Sequence, residues 1–465
     1  MTRMTTEATR TIKTRKPHLA AALAVLAIAS GAISGNACAA TAEEAAQLGK
    51  TLTPLGAEKA GNKDGTIPAW DGGLAKPAAG FANGGRRDQD PYAGEKPVVS
   101  ITAKNMDQHA DRLSDGSKAM LKKYPSYRID VYPTHRTAAA PDWVYANTLK
   151  NATRAKLTEK LVPEGAYAGV PFPIPKTGAE VMWNHLLRWR GTDWQKPFRS
   201  YLTTAAGKPV MTVDGTADGS MPYYYKDAAP EKFNGTYWTI RLVNSGPPIR
   251  AGEAISGKLN LDPEKDASYV YLPGQRRTRK LPNACCDTPT PATAGVMSFD
   301  EVDIFGGRLD RFDWKILGKK EMYIPYNSNR SLKGKDADLL GASHLNPDAV
   351  RWELHRVWVV EAKLKGGQRH LAPRSVYYID EDSWTGALAD RWDANGQLWK
   401  TLWSLPVTMP DLPATTSITF GFYDLVSGTW FASDVVTEKT AQYKQVPRWP
   451  EATWSQEALS GAGLR

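Results

Sequence analysis

Residues 351–364 alternate in chemistry along their whole length. Trp352, Leu354, Trp358, Val360, Ala362 and Leu364 share one parity, while Glu353, His355, Glu361 and Lys363 take the other. Successive side chains of a β-strand point to opposite faces, so this stretch predicts a strand with one apolar, aromatic face. Such a strand needs hydrogen-bonded neighbours and a cover for that face. The neighbours are legible too. Residues 237–243 alternate with Trp238, Ile240 and Leu242 together, and residues 268–272 and 276–280 flank the turn pair Pro273-Gly274. Residues 375–379 follow Gly366-Gly367, residues 397–403 follow Asp393-Ala394-Asn395-Gly396, and residues 418–423 and 429–436 flank Ser427-Gly428. The pattern predicts a long antiparallel sheet whose apolar face helices, a second sheet or a ligand must cover.

The text before residue 191 reads differently. Residues 41–80 are rich in Ala, Gly and Pro, with a short helix expected at 42–48 and consecutive turns from Gly61 to Trp70. Longer helices are expected at 105–124 and 143–161. Pro171, Pro173 and Pro175 interrupt the chain before a third at 178–189, where Met182, Leu186 and Trp189 share a face. No repeat of fixed period is present. The fold class is therefore α+β, mainly antiparallel β. Residues 41–190 form a turn-rich and helical region packing on the sheet, residues 191–440 form the sheet, and 441–465 form a tail.

Residues 1–40 have the layout of a secretory signal. Arg3, Arg10, Lys13, Arg15 and Lys16 precede an apolar run to Ile33, which closes on Ala37-Cys38-Ala39-Ala40. Lipid anchoring at Cys38 is the rival, but the Leu usual three places before such a Cys is absent. Export to a bacterial periplasm is expected. Five basic residues and one acid leave with the signal, so the formal +10 falls to +6. That mild, dispersed excess does not point to nucleic acid. Cys285 and Cys286 then remain, adjacent, with Cα atoms about 3.8 Å apart, below the usual disulfide range. A disulfide framework is excluded, and two free thiols are expected.

Motifs for chemistry are sparse. The histidines beyond the signal (His109, His135, His185, His344, His355, His370) form no recognised ligand pair, so no metal site is indicated. His185, between Trp183 and Leu186, reads as a packed residue. No nucleophile elbow, phosphate loop or dinucleotide fingerprint occurs, and no cofactor is implied. The runs Asp300-Glu301-x-Asp303 and Asp380-Glu381-Asp382 read as turns, with paired-acid hydrolysis as the alternative. Arg276, Arg277, Arg279 and Lys280 read equally as a charged edge strand or as a contact for an anion or a partner's acidic patch.

Several segments together resemble a known family. These are Leu52-Thr53-Pro54-Leu55-Gly56-Ala57-Glu58-Lys59-Ala60-Gly61-Asn62 with Gly65-Thr66-Ile67-Pro68-Ala69-Trp70, then Pro171-Phe172-Pro173-Ile174-Pro175 and Pro273-Gly274-Gln275-Arg276-Arg277. Lys319 to Asn327 and Tyr378 to Trp384 complete the set, which resembles the proteobacterial domain-of-unknown-function 1329 family. The resemblance implies a fold similar to outer-membrane lipoprotein carriers, a curved antiparallel half-barrel enclosing helices. It also implies a place in envelope transport beside an inner-membrane exporter of the resistance-nodulation-division type and an outer-membrane protein. It carries no catalytic residues. The leading expectation is a periplasmic carrier of a lipid or other hydrophobic molecule, bound on Trp238, Ile240, Leu242, Trp352, Leu354, Trp358 and Val360. A non-catalytic envelope adaptor and a glycan or ester hydrolase are the alternatives.

Overall fold

The computed structural model describes residues 39–77, 85–227, 230–282 and 284–463. The expected signal, apart from Ala39 and Ala40, and with it Cys38, lies outside the described residues. Among those described, no helix is long and apolar enough to cross a membrane.

One sheet of 16 strands organises the chain. Two short strands come first, β1 (Val99–Ile101) and β2 (Ile129–Val131). An antiparallel run follows: β3 (Asp193–Thr203), β4 (Pro209–Ser220), β5 (Thr236–Gly246), β6 (Ala254–Asn260), β7 (Ala267–Leu272) and β8 (Arg277–Lys280). A second run is β9 (Phe312–Pro325), β10 (Trp352–Leu364), β11 (Arg374–Asp380), β12 (Gly386–Trp392), β13 (Leu398–Met409), β14 (Ala414–Asp424) and β15 (Trp430–Ser433). β16 (Lys444–Gln445) adds to β3. The last strand of the second run, β15, pairs with the first strand of the first run, β3. The spatial order is thus β9-β10-β11-β12-β13-β14-β15-β3-β4-β5-β6-β7-β8. Its ends, β8 and β9, are consecutive in sequence, and residues 281–311 join them.

Helices α1 (Asp115–Lys123), α2 (Asp142–Arg154), α3 (Gly178–Leu186) and α4 (Gln456–Gly463) surround this sheet. α3 shows that the sheet is curved. Trp183 on α3 meets Tyr237 of β5 edge-on, with ring centroids 6.0 Å apart. At the helix start, a Cβ on Gly178 would lie 2.9 Å from the backbone of Trp314 and Lys315 in β9, which is why glycine sits there. β5 and β9 are nine strand spacings apart in this order, about 43 Å along the sheet, while a helix of this length spans only about 13 Å. One helix can touch both only if the sheet wraps round it. All nine residues of α3 are buried, and Thr177 with Glu180 caps its start.

The strands β10–β15 are covered on both faces, where the alternation predicted one apolar face. Val360, Ala362, Tyr377, Ile379, Leu402, Phe420, Phe422 and Phe431 pack with α3 in one cluster. Their chain neighbours Val359, Val376, Tyr378, Trp403, Tyr423 and Trp430 pack in a second, with Met120 and Leu121 of α1 and with β1 and β2. The segment that holds β1, β2 and α1 is therefore an outer layer, and α3 is the inner one. The expected helix at 105–124 is two pieces, a 3-10 turn Met106–Arg112 and α1, because Ser114 caps a fresh start. The helix expected at 143–161 stops at Arg154, and the one at 178–189 stops at Leu186. The stretch after residue 440 supplies β16 and α4, whose Leu459 packs on Ala254 and Tyr271.

Candidate functional site

Along β5–β7, the concave surface is not filled by α3. Between β5–β7 and residues 284–310 lies a cavity of about 130 Å³. Trp238, Ile240 and Leu242 of β5 and Ile255, Gly257 and Leu259 of β6 form its floor. Leu161 and Trp183 close one side, the Trp183 indole N–H donating to the Leu161 carbonyl at 2.7 Å. Ala292, Phe299, Val302 and Leu309 form the roof. A bulge at Tyr237 turns that ring inward as well. Asp266 lines the rim, and burial pushes its carboxyl up to about 6.

A second cavity of about 110 Å³ continues from the first, sharing Trp238, Ile240, Leu242, Ala292 and Val302 as common wall. Its far end is polar. Arg190, Lys196, Asp303 and Asp434 line it, with Trp194, Thr416, Ser417 and Tyr443.

The roof is pinned by charge. Asp300 accepts from the guanidinium of Arg391 on β12 and from His370 at 2.9 Å, and Glu301 pairs with Lys400 of β13 at 2.8 Å. Asp303 meets both Arg188 and Arg190. Burial acts to raise Asp300, but Arg391 and His370 outweigh it and hold the carboxyl well below the usual range. The run Asp300-Glu301-x-Asp303 does lie at a turn, a 3-10 piece at Phe299–Glu301. Sequence reasoning missed that its carboxylates are buried and anchor the roof. Cys286, Ala294, Asp303 and Ile304 all have positive φ in this segment, a conformation unusual for residues other than glycine. Both cysteines sit there as free thiols, their sulfurs 2.6 Å apart. Cys285 lines the cavity, and its contact with Cys286 draws its thiol below the usual range.

The seven apolar residues expected to form one ligand face separate into groups. Trp238, Ile240 and Leu242 line both cavities. Trp358 and Val360 belong to the inner cluster but line neither cavity. Trp358 stacks on Trp384, centroids 6.3 Å apart. Trp352 and Leu354 pack in the outer cluster. Equal parity does not keep Trp352 with Val360: Val357 and Val359, of the opposite parity, share the outer cluster with Trp352 and Leu354. Arg276, Arg277 and Arg279 are exposed at the edge strand β8, and none makes an ion pair among the described residues.

His355, Asp380 and Asp382 place one potential ligand atom each within 4.8 Å of one another. The surroundings are those of an internal ion network. Arg136 takes both Asp382 oxygens at 2.7 and 2.9 Å, and His355 bonds Glu353 at 3.0 Å, which also pairs Arg351. Asp380 accepts from the Ser383 backbone and hydroxyl at 2.8 and 2.6 Å, a turn-forming contact. With Asp382 fully engaged by a cation, this donor set does not fit a metal. His185 is buried and neutral. Burial, then Arg188, lowers it to about 3, and its ring contacts the Gly386 N–H and the Asp303 carbonyl.

A family model described as protein of unknown function (DUF1329) matches residues 100–460. A relative in Pseudomonas aeruginosa, uncharacterized protein PA3922, is 39% identical over 444 residues, covering 92% of this chain and 95% of that protein. Among solved structures, a DUF1329 family protein from Desulfovibrio piger is 15% identical, with a TM-score of 0.38 over 58% of this chain and 92% of that one. A LolA superfamily protein from Nitrosomonas europaea is 11% identical, with a TM-score of 0.34 over 61% of this chain and 99% of that one.

Proposed function

The chain belongs to the DUF1329 family, and from that premise we propose that it is a periplasmic carrier for a lipid or other hydrophobic molecule. One observation carries the reading: the apolar double cavity against Trp238, Ile240 and Leu242, left where the curved sheet outruns its helix. Burying an apolar chain there is favourable by about 25 cal/mol per Å² removed from water, before the entropic cost of association. The acid runs 300–303 and 380–382 are engaged with Arg, Lys and Ser partners, which favours the carrier over a hydrolase. Delivery calls for partners, which we take to be an exporter of the resistance-nodulation-division type and an outer-membrane protein. The exposed Arg276, Arg277 and Arg279 offer them a cationic edge. Reversing all three charges is expected to abolish cross-linking to the exporter, and undiminished cross-linking would remove that role.

Cys285 provides a built-in reporter of occupancy, since it lines the cavity. Alkylation of Cys285 by iodoacetamide at pH 8 is expected to slow at least fivefold when envelope lipid extract is present. Peptide mass mapping reads the rate, and equal rates with and without lipid would count against a ligand in this cavity.

A further inference from the structure

The two cavities differ in chemistry, and the difference defines a cargo. The cavity under β5–β7 is apolar, whereas its continuation ends among two cations, Arg190 and Lys196, and two carboxylates, Asp303 and Asp434, with the buried Arg188 pairing Asp303 from behind. Asp303 is shared by both arginines, and Lys196 pairs with Asp434. The guanidinium of Arg190, a residue only 9% exposed, spends one N–H on Asp303 at 3.1 Å and another on the Leu186 carbonyl at 3.1 Å. Its Nε–H has no partner, and neither do the indole N–H groups of Trp194 and Trp238 on the same walls. Among the described residues that line this cavity, Asp303 Oδ1 is an acceptor that likewise has no partner. Buried donors left unpaired cost free energy that an incoming acceptor recovers. Burial and the neighbouring Arg188 push Arg190 down to about 10, with Asp303 only partly opposing them.

We propose that the cargo is an amphiphile with an anionic, oxygen-bearing head. The head accepts from Arg190, Trp194 and Trp238, and the single apolar chain runs past Ile240 and Leu242 into the cavity under β6. The inference rests on the carrier reading and adds the class of cargo to it. Arg190 lies over the Trp238 ring, 5.1 Å from its centroid, so head and chain sites meet at that indole.

Calorimetric titration of the delipidated protein with dodecanoate, dodecanol and methyl dodecanoate separates the claims. Dodecanoate is expected to bind at least tenfold more tightly than either neutral analogue. In Arg190→Gln the ratio of carboxylate to ester affinity should fall close to one, while Arg190→Lys, which keeps the charge, should retain most of the preference. Equal affinity of the parent for all three probes would overturn the anionic head and leave the carrier standing. Absence of binding by any of them would overturn both. The comparison on the parent decides the matter even if Arg190→Gln fails to fold.

Discussion

Gly257→Trp is expected to lower affinity for an apolar probe such as N-phenyl-1-naphthylamine at least twentyfold. Gly257 sits in mid-strand on β6, on the cavity floor, between Ile240 and Ser268. A Cβ at this position would lie 3.3 Å from Ile240 Cγ2 and 3.7 Å from Ser268 Oγ, so the first carbon enters with a small shift of a flexible side chain. Its φ is not in the left-handed region, so a side chain brings no backbone strain. The indole then has only the cavity to occupy. Overpacking a filled site costs about 1–3 kcal/mol, but here the ring enters empty space, and the folded state should survive. Gly257→Ala, which adds one methyl group, should weaken the probe only a few-fold. Fluorescence titration gives the affinities and thermal melts check the fold. Undiminished probe binding in a folded Gly257→Trp protein would place the ligand elsewhere.

Arg391→Met is expected to destabilise the protein by about 3–5 kcal/mol near neutral pH, the range for removing one partner of a buried ion pair. Arg391 is 1% exposed on β12, and its guanidinium is the main counter-charge of Asp300, with Glu301 close by. Without it, Asp300 retains His370 and the Ser298 hydroxyl, at 2.9 and 2.6 Å, which do not replace a fixed cation. The pH dependence follows by linkage. In the parent, Asp300 is held below its unfolded value, so its contribution is present above pH 4 and is lost only as strong acid protonates it. In the variant, the unpaired carboxylate takes up a proton more readily when folded. Its deficit should therefore shrink as pH falls from 7 towards 4. Urea unfolding of both proteins at several pH values measures this, and a deficit that is constant or grows with acid would contradict the assignment. Because Asp300 and Asp303 hang from one roof segment, the variant should also release bound probe faster.

Much of the sheet could be read from local pattern. The alternation in β5 and β10 and the turn pairs at Pro273-Gly274 and Ser427-Gly428 mark strands and hairpins, because both signals act over a few residues. Pairing of β15 with β3 could not be read. It joins residues more than two hundred positions apart, and nothing local encodes which edges meet. The double burial of β10–β14 was obscured for a related reason. Glu353 and His355 take the polar parity, yet both are buried, Glu353 meeting Asn327 and the backbone N–H of the remote His135, and His355 meeting Glu353 in turn. The floor of the site was legible at Trp238, Ile240 and Leu242. Its polar end was not, although Arg188-Trp189-Arg190 directly after an apolar helix was an available signal, since two cations beside a buried face demand partners. The roof escaped notice because residues 284–311 contain no long strand or helix, and only their ion pairs to remote Arg188, Arg190, Arg391 and Lys400 give that segment its place.

A carrier is filled in the cell. The full-length chain, expressed in a bacterial host and purified from its periplasm, should be weighed by native mass spectrometry and then extracted with solvent. A mass excess equal to one bound amphiphile per chain, recovered in the extract, is the predicted result. An unliganded mass that stays unchanged after incubation with envelope lipid extract would contradict the carrier.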